Sequence, residues 1–258
     1  MSTDYPVCIT RPTAQAVVLT DALAQAGIVA ISQPLLAIES LPQIPASLRS
    51  RVLALDEYQH IIFVSLNAVH FGMELINDYW PQLPQGLNWY SVGSATAAAL
   101  ADFGVDVTFP PQQMSSEGLL QMNALQSVAG DNILIVRGEG GRTTLRETLL
   151  ERGARVDDLP CYRRSCPDYT PGSFLETLDK AAARLLVITS SEGLANLLAL
   201  LSPQETTNLQ VRTLLVSSER VADQAREAGF MDVRIARNAS DAAIVEAVLQ
   251  WQKDMGEL

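Results

Sequence analysis

The sequence repeats itself at half its length, and this repeat limits the fold more than any other feature does. Two short apolar runs, residues 9–11 and 135–137, end in an arginine that is followed 16 positions later by a glycine and 23 positions later by a proline. Further matches recur at an offset of 125, pairing Ser65 with Ser190, Gly104 with Gly229 and Ser115 with Ser240. The chain therefore reads as three segments followed by the same three segments.

Each segment has the pattern of a strand followed by an amphipathic helix. Strands are predicted at residues 7–10, 61–65, 89–92, 133–137, 185–189 and 214–217. Gly27 and Gly153 stand where the first helix of each half needs a left-handed residue to end it. Strands joined by crossover helices bury both faces of their sheet. We therefore predict an α/β protein with two similar doubly wound parallel-sheet domains.

Composition narrows the class of protein. The 258 residues are 48% hydrophobic and 18% charged, with a formal net charge of −11, which disfavours binding to nucleic acid. We expect no membrane association and a cytoplasmic location, since the first residues carry no basic flank or apolar run and no later apolar run is long enough to cross a bilayer. The three cysteines, Cys8, Cys161 and Cys166, are expected to be reduced and structural.

Small residues follow three of the predicted strands. Ser65 and Ser190 stand just before helices, where a hydroxyl caps free N–H groups, and simple capping is favoured over binding of an anion. The segment from Gly93 to Thr96 precedes an alanine-rich helix, and Gly93 either lets a ligand approach the backbone or simply makes a tight turn.

The richest local pattern is Arg137-Gly138-Glu139-Gly140-Gly141-Arg142, which runs from a strand into a helix. It lacks the Gly-Lys-Ser/Thr ending of a P-loop. It also departs from the G-x-G-x-x-G pattern of a dinucleotide site, because Thr143 stands where the third glycine is required. Nucleotide binding is therefore disfavoured, while another anion remains a candidate ligand. The two histidines, His60 and His70, have no partner at metal-ligand spacing, and no nucleophilic triad can be assembled.

Together these segments resemble the uroporphyrinogen-III synthases along essentially the whole chain. The resemblance is carried by Arg11-Pro12 and by residues 64–69, 92–97 and 137–163, with the Ser190 and Ser218 segments in the same order. It implies that the repeated segments are exchanged, with one domain from about 1–36 plus 168–258 and the other from about 40–163. The proline-led segments at about 34–40 and 160–168 would then form a two-stranded β-ladder linker.

The resemblance also implies a reaction. Hydroxymethylbilane, a flexible polycarboxylate, loses its terminal hydroxyl to give an azafulvene, which closes through a spiro intermediate with inversion of the last ring to uroporphyrinogen III. No cofactor and no metal are implied. The substrate is a small molecule, handed over in this reading by the preceding deaminase, and we expect the chain to be a monomer.

Site residues follow from the same resemblance. Tyr162 matches a tyrosine proposed to help the hydroxyl leave, a role suited to a phenol, although packing at the hinge is equally favoured. Substrate carboxylates are expected to meet the residues Arg11, Ser65, Gly93, Thr96, Arg137, Gly138, Gly141, Ser190 and Ser218. One departure is that Ser218-Glu219-Arg220-Val221 replaces a Gly-Pro-Thr-Thr turn of the family, and Glu219 is a poor neighbour for a carboxylate.

Two other functions fit part of the pattern. A binding module that closes on a small anion would also have two α/β domains, with two chain connections between them. A nucleotide-dependent transferase with paired domains would need a phosphate or ribose site, which the sequence does not offer.

Overall fold

The computed structural model describes residues 5–256. Residues 1–4, on which the expectation of a cytoplasmic location partly rests, lie outside the described residues, as do 257 and 258. The chain divides into two compact units, one of Met1–Ala37 with Ser165–Leu258 and the other of Ile38–Arg164. Within the described residues, no helix is both long enough and apolar enough to cross a membrane.

Strands and helices alternate along the described residues. The strands are β1 (Val7–Ile9), β2 (Ala30–Ser32), β3 (Ala37–Ser40), β4 (His60–Phe63), β5 (Asn88–Ser91), β6 (Val107–Thr108), β7 (Asn132–Gly138), β8 (Arg155–Ser165), β9 (Leu185–Ile188), β10 (Thr213–Val216) and β11 (Val233–Ile235). The helices are α1 (Thr13–Gln25), α2 (Ala46–Leu53), α3 (Leu66–Asn77), α4 (Ser94–Ala101), α5 (Ser116–Leu120), α6 (Thr144–Glu151), α7 (Ser173–Lys180), α8 (Ser191–Leu200), α9 (Pro203–Leu209), α10 (Glu219–Glu227) and α11 (Asp241–Gly256). Short 3-10 helices lie at Leu55–Glu57 and Asn123–Leu125.

Each unit is built on one sheet. The first unit has five parallel strands in the order β11-β10-β9-β1-β2. The second has six in the order β3-β8-β7-β4-β5-β6, in which the strands from β8 to β6 pair in parallel and β3 lies at the edge beside β8. The predicted α/β class with two similar parallel sheets is confirmed.

The internal repeat extends to the register of the strands. Val7 lies opposite Leu185 in the first sheet, and Ile133 lies opposite His60 in the second, which are the positions that the repeat makes equivalent. The pairs β9–β10 and β4–β5 also agree in register, as do β1–β2 and β7–β8. Only the outer pairs differ, since β10–β11 and β5–β6 are offset by one residue.

Strand pairing also shows that the repeated segments are exchanged. The first segment of the chain, with β1 and β2, joins the sheet of β9 and β10 from the second half. The first segment of the second half, with β7 and β8, joins β4 and β5 from the first half. Each unit is thus completed by a segment from the other half of the sequence.

Both faces of each sheet are covered by apolar side chains, as expected for strands between helices. In β4, Ile61 and Phe63 belong to one buried cluster, whereas Ile62 belongs to the cluster on the opposite face. In β1, Cys8 faces one cluster while Val7 and Ile9 face the other. The alternation follows the two-residue period of a strand.

The glycines predicted to end the first helix of each half do so. Gly27 and Gly153 have left-handed backbones, with φ of 77° and 83°. The next residue in each case donates its N–H back into the last turn of the helix. A helix that ends this way turns the chain at once into the following strand, here β2 and β8.

Candidate active site

Strands β4, β7 and β8 of the second unit end beside one another, and a cavity of about 180 Å³ opens at their carboxyl ends. Ligands of parallel α/β sheets bind at this edge. The cavity is lined by Val64, Ser65, Ser116, Ile135, Arg137, Gly138, Gly140, Gly141, Arg142, Leu145, Tyr162 and Arg164. Five residues expected from the sequence, Ser65, Arg137, Gly138, Gly141 and Tyr162, are therefore brought together.

Tyr162 is placed by a bulge in β8. Arg137 of β7 pairs with Pro160, but the next residue, Gly138, pairs with Tyr162, so Cys161 is the extra residue of β8. Cys161 and Tyr162 consequently belong to the same buried cluster instead of pointing to opposite faces of the sheet. Bulges of this kind re-aim a side chain beside a functional site.

Gly138 makes room for the ring of Tyr162. A Cβ atom at Gly138 would lie 2.6 Å from two ring carbons of Tyr162, well inside contact distance. On the other side, the ring stacks on Phe71 of α3 with a centroid separation of 5.7 Å. The aromatic ring is therefore fixed between a strand and a helix.

The hydroxyl of Tyr162 meets the hydroxyl of Ser65, with 3.1 Å between the two oxygen atoms. Ser65 caps α3, because its side-chain oxygen accepts a hydrogen bond from the N–H of Ala68 at 3.1 Å. Ser190 caps α8 in the first unit in the same way, accepting from the N–H of Gly193 at 3.0 Å. The predicted capping role is confirmed for both serines.

The glycine-rich turn after β7 is left-handed at two successive residues, Gly140 and Gly141, with φ of 70° and 84°. Arg137 folds back onto this turn and donates hydrogen bonds to the carbonyls of Gly140 and Arg142. Its guanidinium also lies 3.6 Å from Asp158, and the side chain is only 13% exposed. Arg137 thus shapes the cavity wall, with much of its donor capacity already used by the protein.

Two further arginines line the cavity. Arg142 is 73% exposed and pairs with Glu117 at 3.0 Å, an exposed ion pair of the kind that contributes at most about 1 kcal/mol. Arg164 lies two residues after Tyr162 on β8 and lines the same cavity. Among the described residues, the cavity lining holds three arginines and no carboxylate, although the chain as a whole carries −11.

Two expected residues of the second unit lie elsewhere. Gly93 is not part of the cavity lining, and a Cβ there would lie 3.2 Å from Cβ of Met114, so its small size serves packing against that side chain. Its backbone is extended, with φ of −169°, which any residue can adopt. Thr96 is only 5% exposed on α4 and is likewise not part of the lining.

The remaining expected residues belong to the first unit. Arg11 is 8% exposed and forms an ion pair with Asp241 at the start of α11, and it donates to the carbonyl of Ala239. Its charge is therefore already neutralised by the protein. Ser218 precedes α10 but makes no side-chain capping bond, unlike Ser190. Glu219, the first residue of α10, is 76% exposed.

Other reactive groups lie outside the cavity. His60 is buried and its Nε2 lies 3.2 Å from Asp131. Burial raises the pKa of the Cys8 and Cys161 thiols to about 12, and all three cysteines are free. Within residues 5–256, no group of three or more His, Cys, Asp or Glu side chains could hold a metal ion.

Sequence reasoning missed Arg164, Ser116 and Phe71 as parts of this site. Arg164 could have been found from the two-residue period of a strand, which puts it near Tyr162. Phe71 lies six residues after Ser65 on the predicted helix, but which side of α3 meets β8 depends on pairing between distant segments.

Comparison with known proteins identifies the family. The family model described as "Uroporphyrinogen-III synthase HemD" matches residues 17–246. A uroporphyrinogen-III synthase of Salmonella typhimurium is 37% identical over 94% of this chain and 99% of its own, and that of Escherichia coli is 34% identical over the same shares.

Solved structures agree on the fold. A mutant uroporphyrinogen III synthase from the extremely thermophilic bacterium Thermus thermophilus matches with a TM-score of 0.62 at 18% identity, covering 97% of this chain and 99% of its own. The synthetase of Helicobacter pylori matches at 0.59 and 17% identity, covering 96% and 99%. The chain therefore belongs to the uroporphyrinogen-III synthase family, the cyclising lyases of tetrapyrrole biosynthesis.

Proposed function

We propose that this chain converts hydroxymethylbilane to uroporphyrinogen III and that Tyr162 supplies the proton that lets the terminal hydroxyl leave. The observation that carries the proposal is the arginine-lined cavity around the Tyr162 hydroxyl in an otherwise acidic chain. A site of this kind attracts a polycarboxylate locally, while the surrounding surface stays negative.

The first step requires a donor at the departing oxygen. The bond between the hydroxymethyl carbon and its oxygen breaks, and the oxygen takes a proton from Tyr162 and leaves as water. Electrons from the pyrrole nitrogen form the azafulvene as its cation, beside the phenolate. When the last ring regains its aromaticity after closure, it releases a proton, which restores the phenol. A positioned donor of this type contributes about 10²–10⁴-fold to the rate.

Inversion of the last ring is a matter of positioning. The azafulvene carbon must attack the substituted carbon of the last ring to give the spiro intermediate. The original bond between that carbon and its methylene bridge then breaks, and the freed bridge recloses on the other free position of the ring, which inverts it. A flexible chain would otherwise close without inversion. Holding reacting groups together contributes the largest share of the rate enhancement that we propose. We propose that the protein positions the substrate by binding its side-chain carboxylates.

We propose that Arg142 and Arg164 bind substrate carboxylates in the cavity, together with the N–H groups of the Gly140–Gly141 turn. The Arg142–Glu117 pair is exposed, so a substrate carboxylate can replace Glu117 at little cost. In the first unit, Ser190 and Ser218 remain proposed carboxylate contacts. We assign Arg11 to holding the start of α11, since Asp241 already pairs with it.

We also propose that the chain works in the cytoplasm as a monomer and receives its unstable substrate from the deaminase that makes it. The molar mass measured by light scattering after gel filtration tests whether the chain is a monomer. Joint elution of this chain with the deaminase on gel filtration tests the handover. A stable dimer would contradict the monomer, and separate elution of the two enzymes would contradict the handover.

The reaction is tested by supplying fresh hydroxymethylbilane, oxidising the products and separating the uroporphyrin isomers by chromatography. The expected result is isomer III with the protein and isomer I without it. Tyr162→Phe should keep the fold and lose about 10²-fold or more in initial rate. Persistent isomer I in the presence of folded protein would rule the activity out. Binding without turnover would favour the closing anion-binding module.

A further inference from the structure

The two halves of the chain differ at the candidate site although their folds repeat. Ser65 and Ser190 are equivalent, and each caps the helix that follows the central strand of its half. The position equivalent to Tyr162 is Leu36, because the first segments are related by an offset of 126. At this repeated position the second unit has a phenol beside its capping serine, whereas the first unit has a leucine.

The helix partner of the phenol differs as well. Phe71 of α3 stacks on Tyr162, but the equivalent residue of α8 is Asn196, whose side chain instead donates to the carbonyl of Leu35 at 2.7 Å. Both members of the aromatic stack are thus specific to one half, while the serine is common to both. The serine has acquired a second partner in the second unit.

From this asymmetry we infer that Ser65 is a positioning residue, which holds the hydroxyl of Tyr162 for proton transfer, in place of the direct carboxylate contact expected from the sequence. The inference rests on the proposed role of Tyr162. Its geometric basis is the contact of 3.1 Å between the two hydroxyl oxygens and the further hydrogen bond from Ala68 to Ser65.

The direction of hydrogen bonding follows from donor and acceptor counts. A phenol that has given up its proton can only accept, so Ser65 must then donate to it. The oxygen of Ser65 still accepts from the N–H of Ala68, which lies in the first turn of α3. The linked hydrogen bonds from Ala68 through Ser65 to Tyr162 thus start at the positive N-terminus of a twelve-residue helix and stabilise the phenolate. Hydrogen bonds linked in this way strengthen one another.

A double-mutant cycle on hydroxymethylbilane tests the inference. Ser65→Ala should lower kcat about 10- to 100-fold, the range for a hydrogen bond to a charged group, with KM little changed. Once Tyr162→Phe is present, Ser65→Ala should have almost no further effect. Ser65→Thr, which keeps a hydroxyl at the same place, should restore most of kcat.

Two controls separate positioning from capping and from substrate binding. Ser202 caps α9 outside the site, so Ser202→Ala should lower the melting temperature as Ser65→Ala does, but with kcat unchanged. Ser190→Ala should act through substrate affinity, and its effect should multiply with that of Tyr162→Phe.

Three outcomes would overturn the inference. If the effects of Ser65→Ala and Tyr162→Phe multiply, or if Ser65→Ala raises KM alone, then Ser65 acts on the substrate and not through Tyr162. If Tyr162→Phe keeps full activity, both the donor role and the inference fail. If wild-type protein gives only isomer I, the proposed function itself fails, which the wild-type measurement alone reveals.

Discussion

Replacement of Gly138 by alanine should disable the site while leaving the fold largely intact. The added Cβ would lie 2.6 Å from two ring carbons of Tyr162, whereas carbon atoms in contact prefer about 3.5–4.0 Å. The ring must therefore shift by about 1 Å. It is 2% exposed and stacked on Phe71, so the shift has to be shared with its neighbours.

The expected magnitudes differ for stability and for activity. Overpacking costs about 1–3 kcal/mol of unfolding free energy, offset in part by about 0.4–1 kcal/mol because alanine restricts the unfolded chain more than glycine does. A catalytic group displaced by about 1 Å loses on the order of 10²-fold in rate. The Gly138→Ala variant should therefore remain folded and yet make isomer III about a hundred times more slowly.

Urea unfolding and the isomer assay together measure both effects. Gly86→Ala is the matched control, since Gly86 has a left-handed backbone with φ of 84° and no atom within 4 Å of the added Cβ. It should lose about 1–2 kcal/mol of stability with no change in rate. A folded Gly138→Ala protein with wild-type kcat would refute the claim that the glycine positions the phenol.

Two further predictions concern groups outside the cavity. Asp241→Ala should lower the free energy of unfolding, measured in urea, by about 2–3 kcal/mol, because the substitution leaves the buried Arg11 without its partner. The loss should be somewhat smaller than for a fully buried pair, since Asp241 is 34% exposed. A loss below about 0.5 kcal/mol would contradict this prediction. Burial raises the pKa of Cys8 and Cys161 to about 12. Native protein at pH 8 should therefore react with iodoacetamide only at Cys166. Reaction of all three cysteines at equal rates would show that the buried thiols are accessible.

Much of the fold was predictable because it depends on local patterns that occur twice. Gly27 and Gly153 end their helices as expected, since a left-handed residue after an amphipathic run has few other uses. Ser65 and Ser190 cap their helices for the same local reason. When the same local pattern occurs at equivalent positions in both halves, each occurrence supports the structural prediction made from the other.

The site was harder to predict, because its geometry depends on contacts between distant residues. Alternation along β8 would put Cys161 and Tyr162 on opposite faces, and only the bulge opposite Gly138 brings both inward. Arg11 was expected to meet a substrate carboxylate, but it pairs with Asp241, which comes 230 residues later in the chain. Sequence spacing does not show which charges are already paired in the folded protein.

The exchange of segments has a consequence for synthesis on the ribosome. Val7 of β1 pairs with Leu185 of β9, so the N-terminal strand must wait for about 180 residues to be made before it finds its neighbour. At about 5–20 residues per second this wait lasts roughly 10–35 s. The unit of residues 38–164 emerges in one piece during that time and can fold first. The apolar strand β1 meanwhile lacks its partner β9 on one side, which leaves that edge open to aggregation or chaperone binding.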